Sequence, residues 1–118
     1  MKNRPFHERL KFALNGLVAA WWRESSFRTQ TALAALVGIA LIILQPSLVW
    51  WAIISLTTSF VLTIELLNSA FEALIDHLHP DQHPEVRVIK DMAAGAVLLA
   101  SIGALIIGFL LLLSNLRF

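Results

Sequence analysis

From Thr29 to Ile64 the chain runs for 36 consecutive residues without a charged side chain. As one α-helix that stretch would measure roughly 54 Å, against a hydrocarbon core of about 30 Å. A single span is therefore excluded, and a hairpin of two is predicted. Its turn falls at Gln45-Pro46-Ser47, where proline removes a backbone donor and disfavours helix at the residue before it. A further uncharged run of 22 residues, Met92 to Leu113, is long enough to span once more. Composition agrees: 58% of the 118 residues are hydrophobic and 14% charged, a balance wrong for a soluble domain and right for a small integral membrane protein. The expected fold is an all-α membrane protein forming one membrane domain over 1–118. It comprises an interfacial amphipathic helix over 1–25, spans over 29–47 and 48–76, a cytoplasmic loop over 77–89 and a third span over 90–115. The second span is expected to extend into the cytoplasm.

Basic residues set the orientation. Lys2, Arg4, Arg9, Lys11, Arg23 and Arg28 precede the first span, Arg87 and Lys90 lie before the third, and the Pro46 turn has none. By the positive-inside rule the N-terminus and the segment from 76 to 91 are cytoplasmic, and three spans place the C-terminus on the periplasmic or external side. The pairs Trp21-Trp22 and Trp50-Trp51, all the tryptophans in the chain, suit two interfacial belts. Charges spread through MKNRPFHERLKFALNG argue against a cleaved signal peptide. The absence of cysteine excludes disulfide and thiolate chemistry.

Phe6, Leu10, Ala13, Leu14, Leu17 and Trp21 share one helical face, with Glu8, Lys11 and Asn15 on another. That pattern predicts a helix lying in the cytoplasmic interface, the alternative being an amphipathic helix packed on protein. In the third span Ala96, Ala100, Ala104 and Gly108 recur every four residues, a small-residue seam suited to close helix packing within or between subunits.

The polar residues with most chemical promise lie in ELLNSAFEALIDHL, residues 65–78, directly after the uncharged run. Glu65, Asn68, Glu72 and Asp76 form one helical stripe. A carboxylate at membrane depth costs several kcal/mol on insertion scales, so Glu65 calls for a compensating role such as holding a cation or accepting a proton. Asn68 and Ser69 can hydrogen-bond a carboxylate or a substrate hydroxyl. Glu24 either pairs with Arg28 at i, i+4 or joins Glu72 as an oxygen ligand for a hard cation, and spacing does not choose between them. Lys90 either anchors the third span by snorkelling or faces phosphates, and Asp91 suits a helix N-terminus. His77, His79 and His83 read as solvated loop histidines rather than metal ligands, because His79-Pro80 and His83-Pro84 interrupt the helix. The five glycines are scattered, so no glycine-rich phosphate cradle exists.

ELLNSAFEALIDHL followed by KDMAAGAVLLAS resembles the signature of the small bacterial membrane diacylglycerol kinases, E-hydrophobic-hydrophobic-N-[ST]-A-x-E-x-x-x-D and then K-D-[MI]-[AG]-[AS]-[AG]-A-V. The resemblance extends upstream through NGLVAAWWRESSFR and covers nearly the whole chain. It implies a homotrimeric bundle of three-span subunits in the bacterial inner membrane that transfers the ATP γ-phosphate to a lipid hydroxyl. Magnesium is the implied cofactor, a membrane lipid and ATP are the implied partners, and no nucleic acid is expected.

Carried onto matching positions, the resemblance makes Glu65 the catalytic base with Asn68 beside it, and Glu24 and Glu72 the magnesium ligands. ATP contacts fall to Glu24, Glu72, Asp81, Gln82, His83, Lys90 and Asp91, with only His83 a close match in the 81–83 loop. Trp21, Phe27, Arg28, Glu65 and Ala94 are expected on the lipid-substrate side. Gln30 stands where an acid is common and Ala94 where a serine is common, which bears on substrate preference. FALNGL and HPEVRVIKDMAAGAV also resemble undecaprenol kinases of the same superfamily, whereas WWRESSFR leans toward diacylglycerol. A third reading, from another class, is a non-catalytic membrane protein whose acids serve an ion path.

Overall fold

A computed structural model of the chain describes residues 3–81 and 83–116. They form four α-helices in sequence: α1 (Phe6–Arg23), α2 (Ser25–Leu44), α3 (Leu48–Leu78) and α4 (Pro84–Leu116). Three of these, α2, α3 and α4, are long and apolar enough to cross a membrane. At 31 and 33 residues, α3 and α4 measure about 46 and 50 Å, so both project beyond a hydrocarbon core of about 30 Å.

The turn forms where proline demands it. Gln45 ends α2 in the left-handed region at φ 46°, ψ 56°, its amide bonded to the Leu41 carbonyl and its side-chain Nε2 donating to the Ile42 carbonyl. Pro46 cannot continue the helix, and Ser47 begins α3 from an extended conformation. Beside this turn Leu41, Ile54 and Leu111 form the buried cluster, with Leu44, Trp50, Trp51 and Ile107 against it. Trp50 and Trp51 thus serve the packing at that end of the bundle.

The helix faces carry a heptad logic. On α2 the buried residues are Phe27 and Leu41, with Ala34 half-buried between them. On α3 the inward residues are Ile54, Val61, Glu65 and Ser69, so one continuous face changes from apolar to polar along its length. On α4 the covered face is Lys90, Ala93, Val97, Ala100, Ala104, Ile107 and Leu111, a 3-4 alternation that overlaps the expected alanine seam but leaves Ala96 exposed. A Cβ placed on Gly103 or Gly108 would meet nothing within 4 Å, so no helix of the same chain approaches the seam closely there. The seam instead borders an open apolar groove of 780 Å³ between α2 and α4, with Gln30 among its lining residues.

Two boundaries differ from expectation. The connection between α3 and α4 runs only from His79 to His83, where a loop over 77–89 was expected. Pro84 is tolerated in the first helical turn, and the Glu85 amide donates to His83 Nδ1 at 3.1 Å, which caps α4 well before Lys90. His77 therefore belongs to α3 rather than to a loop. At the other end, α1 and α2 are separate helices joined through Glu24, whose extended backbone (φ −115°, ψ 107°) breaks the path between them. Ala20 is the only α1 residue buried, while Phe6, Leu10, Leu14, Leu17 and Trp21 remain uncovered by the rest of the chain.

Candidate functional site

The site is built on the polar half of the α3 inward face. Glu65 is 3% exposed and Ser69 5%, whereas Asn68 and Glu72 are half-buried and Asp76 is exposed. Burial therefore falls away along the stripe, from a carboxylate enclosed by helices to one open to solvent. Over the seven residues from Glu65 to Glu72 the helix rises about 10 Å.

Glu65 is held from the opposite helix. Ser26, in the first turn of α2, donates its hydroxyl to Glu65 Oε1 at 2.5 Å. No other side-chain hydrogen bond to Glu65 forms among the described residues. One turn further along α3, Asn68 Oδ1 is buried and has no hydrogen-bond partner within the described residues. Leaving a buried acceptor unpaired is costly, so an incoming donor at this place would be stabilised.

Glu24 lies two residues before Ser26, half-buried in the link between α1 and α2. Arg28 does not pair with it: the guanidinium donates to the Trp21 carbonyl at 2.5 Å and closes the C-terminal end of α1. The choice left open by the i, i+4 spacing is thereby decided against the ion pair, and Glu24 and Glu72 are both free of ion pairs among the described residues. Among the described residues no group of three or more His, Asp or Glu side chains converges as a protein-only metal centre requires. Two carboxylates alone fit a hard divalent ion that takes its other ligands from phosphate and water.

A second element of the site is a polar cavity of 540 Å³ at the α3–α4 connection. Asp76, His79, Asp81, His83, Arg87 and Lys90 line it. The structure thus brings together Asp81, His83 and Lys90, and adds His79 and Arg87. Asp91 lies outside the lining and pairs with Arg87 at 3.4 Å, because successive helix residues do not share a face. Lys90 Nζ is ion-paired with Asp76. Gln82 lies outside the described residues.

The Asp76–Lys90 pair and the Ile54–Leu111 packing set the antiparallel register of α3 and α4. In that register Glu72 stands level with Ala93 and Ala94, and Glu65 with Ala100 and Ser101. The α4 residues level with both acids are small. Of the residues expected on the lipid side, Trp21 and Ala94 are exposed and Arg28 is half-buried. Phe27 is 8% exposed, lying on the same inward α2 face as Leu41.

The model of prokaryotic diacylglycerol kinase matches residues 11–112, a range that takes in Glu24, the whole stripe and the Lys90 cavity. The chain belongs to the prokaryotic diacylglycerol kinase family. Among curated members, a diacylglycerol kinase of Synechocystis sp. is 36% identical over 104 residues, covering 87% of this chain and 59% of that longer protein. An undecaprenol kinase of Bacillus subtilis is 36% identical over 93 residues, 79% of this chain and 76% of its own length. A diacylglycerol kinase of Escherichia coli is 32% identical over 104 residues, 88% and 85% respectively. Family membership and the three apolar helices make this a bacterial inner-membrane protein.

Sequence reasoning missed Ser26, His79 and Arg87 as parts of the site. The pair Ser25-Ser26 at the start of a helix signals capping, and nothing local tells that one hydroxyl reaches an acid 39 residues away. For Arg87 the signal was present but unused: it stands three residues before Lys90, on the same side of a helix once α4 is known to begin at Pro84.

Proposed function

We propose that this chain is a lipid kinase that transfers the γ-phosphate of ATP to the hydroxyl of diacylglycerol, giving phosphatidic acid. The observation that carries the reading is Glu65: a carboxylate enclosed on the α3 packing face, in a chain of this family, with small residues across from it. Phosphoryl transfer asks little covalent chemistry of a protein; it asks for positioning, charge stabilisation and a group to take the hydroxyl proton. Glu65 takes that proton as the lipid oxygen attacks the γ-phosphorus and ADP departs. Asn68 Oδ1 accepts a hydrogen bond from a substrate donor. Glu24 and Glu72 would hold the magnesium that accompanies ATP, which would supply positive charge to offset that of the phosphates.

Lys90, His79, His83 and Arg87 bind the outer, more hydrated part of the nucleotide in the 540 Å³ cavity, with Asp91 acting through Arg87. Lys90 sits level with Asp76, about 16 Å along α3 from Glu65, which suits polyphosphate binding rather than contact with the attacked phosphorus. The uncovered apolar face of α1 supports a helix lying in the cytoplasmic interface, with Trp21 and Arg28 near the lipid substrate. The N-terminus is cytoplasmic and the C-terminus external in this reading. The seam left open at Gly108 supports association into a homotrimer.

A second reading, undecaprenol kinase, is favoured by the 36% identity to the Bacillus subtilis enzyme. The deciding experiment supplies purified protein in detergent with Mg-ATP and either diacylglycerol or undecaprenol, and follows labelled phosphate into lipid. Phosphatidic acid as the main product is expected; a strong preference for undecaprenol reverses the choice of substrate. No product from either lipid ends the kinase reading in favour of an ion-path protein.

A further inference from the structure

Ser26 holds one oxygen of the Glu65 carboxylate, and we propose that it is a positioning residue for phosphoryl transfer, aiming Oε2 at the substrate hydroxyl. The inference rests on the reading of Glu65 as the base.

Three observations carry it. First, the Ser26 hydroxyl is not used as a helix cap. The N-cap of α2 is Glu24, no side-chain capping bond forms there, and Ser26 Oγ is directed across the α2–α3 contact to Oε1 of Glu65. Ser26 is the second residue inside α2, past the N-cap position at which serine bonds helix amides, so its hydroxyl is left to reach across to α3. Second, Glu65 is 97% covered and receives no other side-chain hydrogen bond among the described residues. The terminal torsion of a glutamate is broad and weakly constrained by its own rotamer preference. The bond from Ser26 is the one side-chain hydrogen bond that directs the carboxylate among the described residues.

Third, the direction of the bond fixes the chemistry. An ionised carboxylate can only accept, so Ser26 donates and its proton is committed. Ser26 cannot itself take the proton of the lipid hydroxyl. That proton passes to Glu65 Oε2 as the bond from the lipid oxygen to the γ-phosphorus forms and the bond to the bridging oxygen of ADP breaks. Misplacing a reacting group by about 1 Å can cost 100-fold in rate, so loss of this anchor is felt in the chemical step rather than in ATP binding.

The test compares Ser26→Thr with Ser26→Val, which match in shape and differ in the hydroxyl, alongside Ser26→Ala and Glu65→Gln. Turnover with Mg-ATP and diacylglycerol is measured with melting temperature. Expected are a kcat lowered about 10- to 100-fold in the valine and alanine variants, with the KM for ATP changed by less than about twofold, and recovery of most activity in the threonine variant. In the Glu65→Gln background, adding Ser26→Ala lowers the residual rate no further. Equal activity of the threonine and valine variants overturns the positioning role while leaving Glu65 as base if Glu65→Gln is inactive. Normal turnover by Glu65→Gln instead removes the base and this inference with it. A loss confined to melting temperature, with kcat intact, assigns Ser26 to structure alone and also overturns it.

Discussion

Lys90 on α4 is ion-paired with Asp76 on α3, joining the outer ends of the two helix faces that pack along the bundle. Lys90 is 28% exposed and Asp76 63%, so the pair stands at the edge of water. Ion pairs in such places contribute about 0–1 kcal/mol. Lys90 is therefore weakly committed to the fold and available to phosphate. Replacing it by methionine is expected to raise the KM for ATP about tenfold, the size of one charge-assisted hydrogen bond, with little change in melting temperature. Steady-state kinetics with varied ATP check it, and an unchanged KM would remove Lys90 from the nucleotide site.

Glu65→Gln keeps the shape and hydrogen-bonding capacity of the side chain but not its ability to take a proton. Turnover is expected to fall by at least about 100-fold, the scale of general-base contributions, while the elution position on size-exclusion chromatography stays that of the wild type. A variant with near-normal rate would move the base elsewhere.

Glu24→Gln and Glu72→Gln should each raise the magnesium concentration needed for half-maximal rate by about tenfold or more if, as proposed, these two acids are the protein's metal ligands. Titrating the metal at fixed ATP checks this. Equal metal dependence in wild type and variants would leave both acids without that role.

His83 caps α4 through Nδ1 and lines the polar cavity at the α3–α4 connection. His83→Ala is expected to speed hydrogen exchange of the amides at 85–87, whereas His83→Asn, a strong N-cap residue, keeps them protected. Loss of a cap costs about 1 kcal/mol locally, so the change should stay within the first turn of α4.

Because the sequence has no cysteine, single cysteines report topology cleanly. Ser47→Cys should react with an impermeant thiol reagent in intact cells, and His79→Cys only after permeabilisation. On α1, Lys11→Cys should label readily and Leu14→Cys be protected by the bilayer; equal labelling of these two would place α1 away from the interface.

Charge distribution and hydropathy were enough to read three spans, the Gln45-Pro46-Ser47 turn and the polar stripe of α3, because a hydrocarbon solvent penalises every charge and every broken helix within it. Local spacing also showed that Glu65, Glu72 and Asp76 share a face. The start of α4 was less legible, since two prolines suggest a long loop and only the His83 cap shows the helix beginning at Pro84. Which groups meet across helices was decided by tertiary structure alone. Ser26 with Glu65, Asp76 with Lys90, Arg28 with the Trp21 carbonyl and the inward turn of Phe27 all depend on the register and rotation of packed helices. Those are set by side chains far apart in the chain, such as Ile54 and Leu111, and no local pattern encodes them.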